Sequence, residues 1–139
     1  CTIEEKSEEQ HNVFGAWGGI SGIQSTFQIM FNEVVHKRKL SPTLLTNILS
    51  YGPAKTFGLY PRKGSIEIGA DADLVLVNPN MDWEITSESL FYKNKISAFI
   101  GQKGKGLPVT TVVRGKVVYK DNEIKIGLGF GELLKKSWD

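Results

Sequence analysis

Lys63-Gly64-Ser65-Ile66-Glu67-Ile68-Gly69-Ala70-Asp71-Ala72-Asp73-Leu74-Val75-Leu76-Val77 is the stretch on which the chain changes period. It opens just past Pro61 and closes on a continuous apolar run that halts at Asn78-Pro79-Asn80. A short run of this kind between turn residues reads as a strand buried on both faces. Gly64 to Gly69 reads as a shorter strand ending in a turn. Asp71 and Asp73 fall just before Leu74, where carboxylates hydrogen-bond backbone N–H groups. Further along, Trp83-Glu84-Ile85-Thr86 is a third strand candidate. Val109 to Arg114 and Lys116 to Tyr119 flank Gly115 and predict a tight hairpin, with Asp121-Asn122 as the next turn. The glycine- and lysine-rich Gly101 to Gly106 reads as a flexible connection.

Upstream, from about Asn12 to Leu59, the period is helical. Ile23, Phe27, Met30, Phe31 and Val34 recur at three- and four-residue spacing, which places an apolar stripe on one face. His36-Lys37-Arg38-Lys39 follows as that helix ends, where basic groups complement the dipole. Ser41 reads as an N-cap with Pro42 at the first helical position. Leu44, Leu45, Ile48 and Leu49 make the second buried face, Gly52-Pro53 stops the helix, and a short turn from Pro53 caps on Gly58. Helices followed by strands are α+β organisation. So few strands leave open sheet edges, which another segment is expected to cover. The tail from Gly127 to Gly131 leads to a frayed helix at Leu133 to Trp138.

The composition excludes several classes. At 139 residues, 40% hydrophobic and 23% charged, the chain suits one domain or two small pieces with a real core. Seventeen basic against fifteen acidic side chains give +2, too weak a field for nucleic acid or a membrane surface. No run reaches the roughly 18 apolar residues of a membrane span. The acidic start, Cys1-Thr2-Ile3-Glu4-Glu5, is no secretory signal, and a single cysteine makes no internal disulfide, so a cytoplasmic setting is expected. The missing initiator Met points to truncation or processing upstream.

Chemistry-bearing clusters are sparse. A hydrolytic zinc site needs three or more converging ligands, yet the chain has only His11 and His36, outside any His-x-His or His-x-x-x-His spacing. Cys1 has no neighbouring base. Gly101 to Gly106 lacks the spacing of a phosphate loop, and Gly127-x-Gly129-x-Gly131 lacks that of a dinucleotide loop. No catalytic residue and no metal ligand is assigned. One loop stands apart: Ala16-Trp17-Gly18-Gly19-Ile20-Ser21-Gly22, just before the first helix. Glycines beside a tryptophan let backbone groups approach a small planar ligand against an apolar wall. A tight turn with a packed Trp17 is the simpler reading of the same composition.

That loop, continued to Ile23-Gln24, resembles the segment preceding the last barrel helix in allantoinases, which are cyclic amidohydrolases. Further matches follow in order. Asn47 to Leu59, with Tyr51-Gly52-Pro53-Ala54-Lys55-Thr56-Phe57-Gly58-Leu59, resembles the family's "NPA-x-x-FGL" helix end. Lys63 to Val75 is similar to the strand entry shared across amidohydrolases, and Thr111 to Tyr119 looks like their closing hairpin. The resemblance covers about residues 1 to 126. Where the family often has His-Lys-x-Ser-Pro-Tyr-x-Gly, this chain has Asn94-Lys95-Ile96-Ser97-Ala98-Phe99-Ile100-Gly101, a segment the family keeps away from the chemistry.

The resemblance implies a carboxy-terminal portion of a larger enzyme. Residues 1–60 would be the last helices and substrate loop of a (β/α)8 TIM barrel, 61–126 the strands of a small β-sandwich, and 127–139 a tail. Two metal ions, usually zinc, would be held by upstream residues ending just before Cys1, so that this portion alone is inactive. Trp17, Gly18, Gly19, Ile20 and Ser21 carry over as substrate-binding candidates, largely through backbone groups. The implied reaction opens the ring amide of a cyclic ureide, allantoin giving allantoate. Hydantoinase, dihydropyrimidinase or dihydroorotase activity and a non-catalytic scaffold are the alternatives. Open edges also predict a homo-oligomer, by strand exchange.

Overall fold

The computed structural model describes residues 2–7 and 12–134. Cys1 and His11 lie outside the described residues, as does most of the expected tail helix; Leu133 and Leu134 are not helical. The chain is α+β, two helical arms followed by a four-stranded antiparallel sheet.

A single turn, α1 (Ile3–Lys6), comes first. It is closed by reciprocal caps: Glu5 N–H donates to Thr2 Oγ1 at 3.3 Å and Thr2 N–H to Glu5 Oε2 at 2.6 Å. The first arm is α2 (Thr26–Phe31) running without a break into a wider π-helix, π1 (Asn32–Lys37). Ile23 lies ahead of this helix and is 94% exposed, so the buried stripe is shorter than its spacing predicts. Lys37 and Arg38 both pair with the Glu33 carboxylate, at 3.2 and 2.8 Å, so the basic run closes its own helix end.

The second arm is α3 (Thr43–Thr46), π2 (Asn47–Tyr51) and α4 (Gly52–Thr56). Ser41 caps it, its Oγ accepting the Thr43 N–H at 3.2 Å. Gly52-Pro53 does not stop this arm. A proline ring clashes with the carbonyl four residues earlier in a continuous α-helix, but Pro53 lies in the first turn of α4, directly after the wider π2 turn in which Gly52 N–H donates to Asn47 O. The buried face is Leu45 and Ala54, with Leu49 half-buried. Leu44 and Ile48 sit on the exposed side.

The sheet order is β1 (Leu74–Glu84), β2 (Lys103–Val113), β3 (Lys116–Lys120) and β4 (Glu123–Ile124). Three expectations need correction here. The Leu74–Val77 run and Trp83-Glu84 are one strand, because a register shift between Asn78 and Asp82 accommodates Pro79 on an edge that needs no N–H from it. That strand is not buried on both faces: Val75 and Leu76 are about half exposed (49% and 51%), since β1 is the outer strand. Gly64 to Gly69 forms no strand, and Ile66 and Ile68 project outward. The hairpin forms as predicted, turning at Arg114 and Gly115 with positive φ at both, and Asp121-Asn122 turns the same way.

Gly101 to Gly106 is likewise no flexible connection, because its second half opens β2. A Cβ on Gly104 would stand 2.5 Å from Trp83 Cζ2 and 2.6 Å from Asn32 Cγ, and one on Gly106 would overlap the Phe31 ring. The glycines are the surface onto which the first arm packs. Two apolar clusters result. Phe31, Val34 and Leu45 join the two arms under Val77, while Trp83, Ile85 and Leu90 gather Ile29, Tyr92, Phe99 and Leu107. His36 ties π1 to β1, its Nε2 lying 2.8 Å from Pro79 O.

Asp73 does meet a backbone N–H, that of Arg114 in the hairpin turn, at 2.8 Å. Asp71 instead receives Arg62 Nε and Lys63 Nζ, each at 2.9 Å, and Lys63 also pairs with Asp73. The Lys63 ammonium holds the Asp71 carboxyl below the usual aspartate range, with Arg62 adding to it against partial burial. Burial works to lower the Lys63 pKa, but its bonds to both aspartates outweigh that and raise it. A depressed carboxyl stabilises fully above its unfolded pKa, and the contribution disappears as pH falls through the lowered folded value. Asp71→Asn should therefore flatten the acid limb of stability below the ordinary aspartate pKa. Urea midpoints measured from pH 7 downward check this, and parallel acid limbs for both proteins would refute it.

Candidate functional site

Asn12 starts the glycine loop. Its Oδ1 accepts the Phe14 and Gly15 N–H groups at 3.1 and 3.0 Å, bending the chain before Ala16. Trp17 N–H donates to Glu5 O at 2.8 Å, which fastens the loop to α1. From the same turn Lys6 Nζ reaches over to donate to Trp17 O at 3.1 Å and Gly19 O at 2.6 Å. On the far side, Ser97 Oγ donates to Ser21 O at 2.8 Å. Every second carbonyl, at 17, 19 and 21, is thus drawn back onto the protein.

Among the described residues, the backbone N–H groups of Gly18, Gly19, Ile20 and Ser21 have no protein partner. A Cβ added at Gly18 or Gly19 would meet nothing within 4 Å, so the backbone is open to an approaching molecule. Gly19 takes φ +90°, where a side chain would be strained. Trp17 and Ile20 stand 67% and 69% exposed, which sets aside the packed-Trp17 turn. All five sequence candidates, Trp17, Gly18, Gly19, Ile20 and Ser21, lie on one short segment that combines unpartnered N–H donors with two exposed apolar side chains.

The loop's exit is anchored more firmly. Gln24 N–H donates to Tyr92 Oη at 2.9 Å, its Nε2 donates to Ser89 O at 2.8 Å, and its Oε1 accepts Phe91 N–H at 2.8 Å. A Cβ at Gly22 would come 3.1 Å from the Phe99 ring, so Gly22 is the seat for that ring. The segment between β1 and β2, which the resemblance places away from the chemistry, lies directly beneath this loop. Lys6, Gln24 and Ser97 are the positions that sequence reasoning passed over.

Neither histidine-and-carboxylate chemistry nor a metal cradle is assembled by these residues. Among the described residues no three His, Cys, Asp or Glu side chains come together. Asp71 and Asp73 are held by Lys63 and Arg62, and His36 lies against Pro79 O. The described residues therefore do not fit a zinc centre. No helix among them is long and apolar enough to cross a membrane.

Known proteins share sequence and fold with this chain. A probable allantoinase 2 of Dictyostelium discoideum is 41% identical over 142 residues, 99% of this chain but 28% of that protein. The solved L-hydantoinase (dihydropyrimidinase) from Arthrobacter aurescens superposes with a TM-score of 0.86 at 34% identity, over 94% of this chain and 29% of that one. A D-hydantoinase (dihydropyrimidinase) from Thermus sp. gives 0.91 at 30% identity, over 98% and 30%. The chain thus spans less than a third of each relative's length. The sequence model of the amidohydrolase family matches residues 18–118, from the open glycines through the hairpin. On that match and these relatives, the chain belongs to the amidohydrolase family.

Proposed function

We propose that this chain is the carboxy-terminal portion of a longer cyclic amidohydrolase, and that it supplies the loop on which a cyclic ureide is held while its ring amide is hydrolysed. The observation that carries the reading is the row of unpartnered N–H groups from Gly18 to Ser21 on a backbone with open space in front of it. A planar ureide ring presents carbonyl oxygens that accept such donors, and Trp17 and Ile20 give its faces an apolar boundary. Binding through fixed backbone groups orients the ring for attack. In this reading, allantoin opening to allantoate is the reaction, residues 1–60 belong to a (β/α)8 barrel, 61–126 to a β-sandwich, and 127–139 to a tail. Two zinc ions are held by the rest of the protein, which works in the cytoplasm, and the open outer edge of β1 pairs in a strand-exchanged homo-oligomer.

Hydantoin or dihydropyrimidine hydrolysis is the second reading, favoured by the names of the two superposed structures. Steady-state assays of the longer protein on allantoin, hydantoin and a dihydropyrimidine separate the two, because ring size and substituents must fit one pocket. The highest kcat/KM is expected on allantoin. A preference of tenfold or more for either other ring transfers the assignment to it, and no turnover of any ring ends the enzymatic reading. The 139-residue chain alone, supplied with zinc, is expected to show no turnover, and measurable hydrolysis by it would contradict the division of labour.

A further inference from the structure

We propose that Ser97 is a positioning residue of the ring-binding loop: its hydroxyl fixes the plane of the Ser21 peptide and so sets the affinity for the ring. This inference rests on the reading of Trp17 to Ser21 as the ring-binding segment and adds a residue that lies 76 positions away in sequence. The Ser21 carbonyl turned toward Ser97 Oγ fixes the peptide plane that it shares with the Gly22 N–H and, by limiting the ψ of Ser21, steadies the Ser21 N–H at the end of the donor row. The loop has no regular structure of its own between Ala16 and Gly22, so its conformation is set by the few bonds that tie it down. Lys6 holds the carbonyls at 17 and 19, while Ser97 supplies the bond at 21.

The segment that carries Ser97 is itself rigidly mounted. Phe99 N–H donates back to Ser97 Oγ at 3.3 Å, and the Phe99 ring packs against Gly22 and joins the Trp83 cluster. Gln24 bonds three separate groups of the same segment. The serine hydroxyl is therefore held from behind, with its proton aimed at the loop, which is what a positioning group requires. Because Ser97 touches the loop and not the ring, removing its hydroxyl weakens binding of ground state and transition state alike. That predicts a change in KM with kcat preserved.

The test uses the longer protein with Ser97→Ala and Ser97→Thr, measuring kcat and KM on the best cyclic ureide together with the melting temperature. Loss of one neutral hydrogen bond is worth about a fivefold change in affinity. Ser97→Ala is expected to raise KM by about that factor with kcat within about twofold, and Ser97→Thr, which keeps the hydroxyl, to restore KM. An unchanged KM in Ser97→Ala, with or without a lower melting temperature, overturns the proposal, as does failure of threonine to rescue. Those results leave the ring-binding reading standing if the unsubstituted protein turns over a cyclic ureide. If it turns over none, both fall.

Discussion

Gly106→Ala should destabilise the chain by about 3 kcal/mol. Two independent penalties combine at this position. Gly106 holds φ +93°, a conformation L side chains rarely adopt, and the added carbon would lie 2.1 Å from Phe31 Cδ1. Phe31 is the buried centre of the cluster between the two arms, so it cannot swing away without opening that cluster. Against a total of about 5–15 kcal/mol for a folded domain, such a loss leaves little margin. Gly115→Ala is the control, since Gly115 also has positive φ (+77°) but nothing within 4 Å of the added carbon, and only about 1 kcal/mol is expected. Urea unfolding of the three proteins distinguishes packing from backbone strain. Equal midpoint shifts for the two variants would show that ring contact at Gly106 contributes nothing.

The second large effect is on function with stability untouched. Gly18→Val in the longer protein should lower kcat/KM for the cyclic ureide by tenfold or more, about 1.4 kcal/mol, while the melting temperature stays close to that of the parent. A Cβ added at Gly18 meets no atom of the described residues within 4 Å, and Gly18 is not in the left-handed region. The fold has no reason to respond, whereas a ring approaching the Gly18–Ser21 donors would collide with the new methyl groups. A variant with unaltered kcat/KM would show that the loop faces solvent during catalysis.

How far the sequence carries the fold depends on what each signal measures. The period change after Pro61 and the Arg114-Gly115 turn are local, encoded by residues that contact one another, and they read correctly. Gly52-Pro53 and Gly101 to Gly106 misled for a common reason: local propensity marks proline and glycine as breakers, while tertiary context here uses them otherwise. Pro53 is carried by the widened turn before it, and Gly104 and Gly106 make room for Trp83, Asn32 and Phe31 from other elements. No spacing rule reports a neighbour 75 residues away. The fusion of Leu74–Val77 with Trp83 across Asn78-Pro79-Asn80 was hidden similarly, because a bulge on an edge strand has the composition of a loop.

The candidate loop was legible because its glycines and tryptophan are contiguous and its pattern is shared with allantoinases. Its supports were not. Ser97, Gln24 and Lys6 are ordinary polar residues whose roles arise from where the chain returns. Ser97 in particular sat in the segment that the family resemblance set apart from the site. That the carbonyls at 17, 19 and 21 are bonded while the N–H groups from Gly18 to Ser21 are not is a property of coordinates alone.

A crystal structure of the longer protein with an unhydrolysed cyclic ureide bound tests the central claim most directly. The account predicts at least one ring carbonyl within hydrogen-bond distance of a backbone N–H between Gly18 and Ser21, with Ser97 Oγ still on Ser21 O. A ring held wholly by other segments, with this loop turned away from it, would contradict the account.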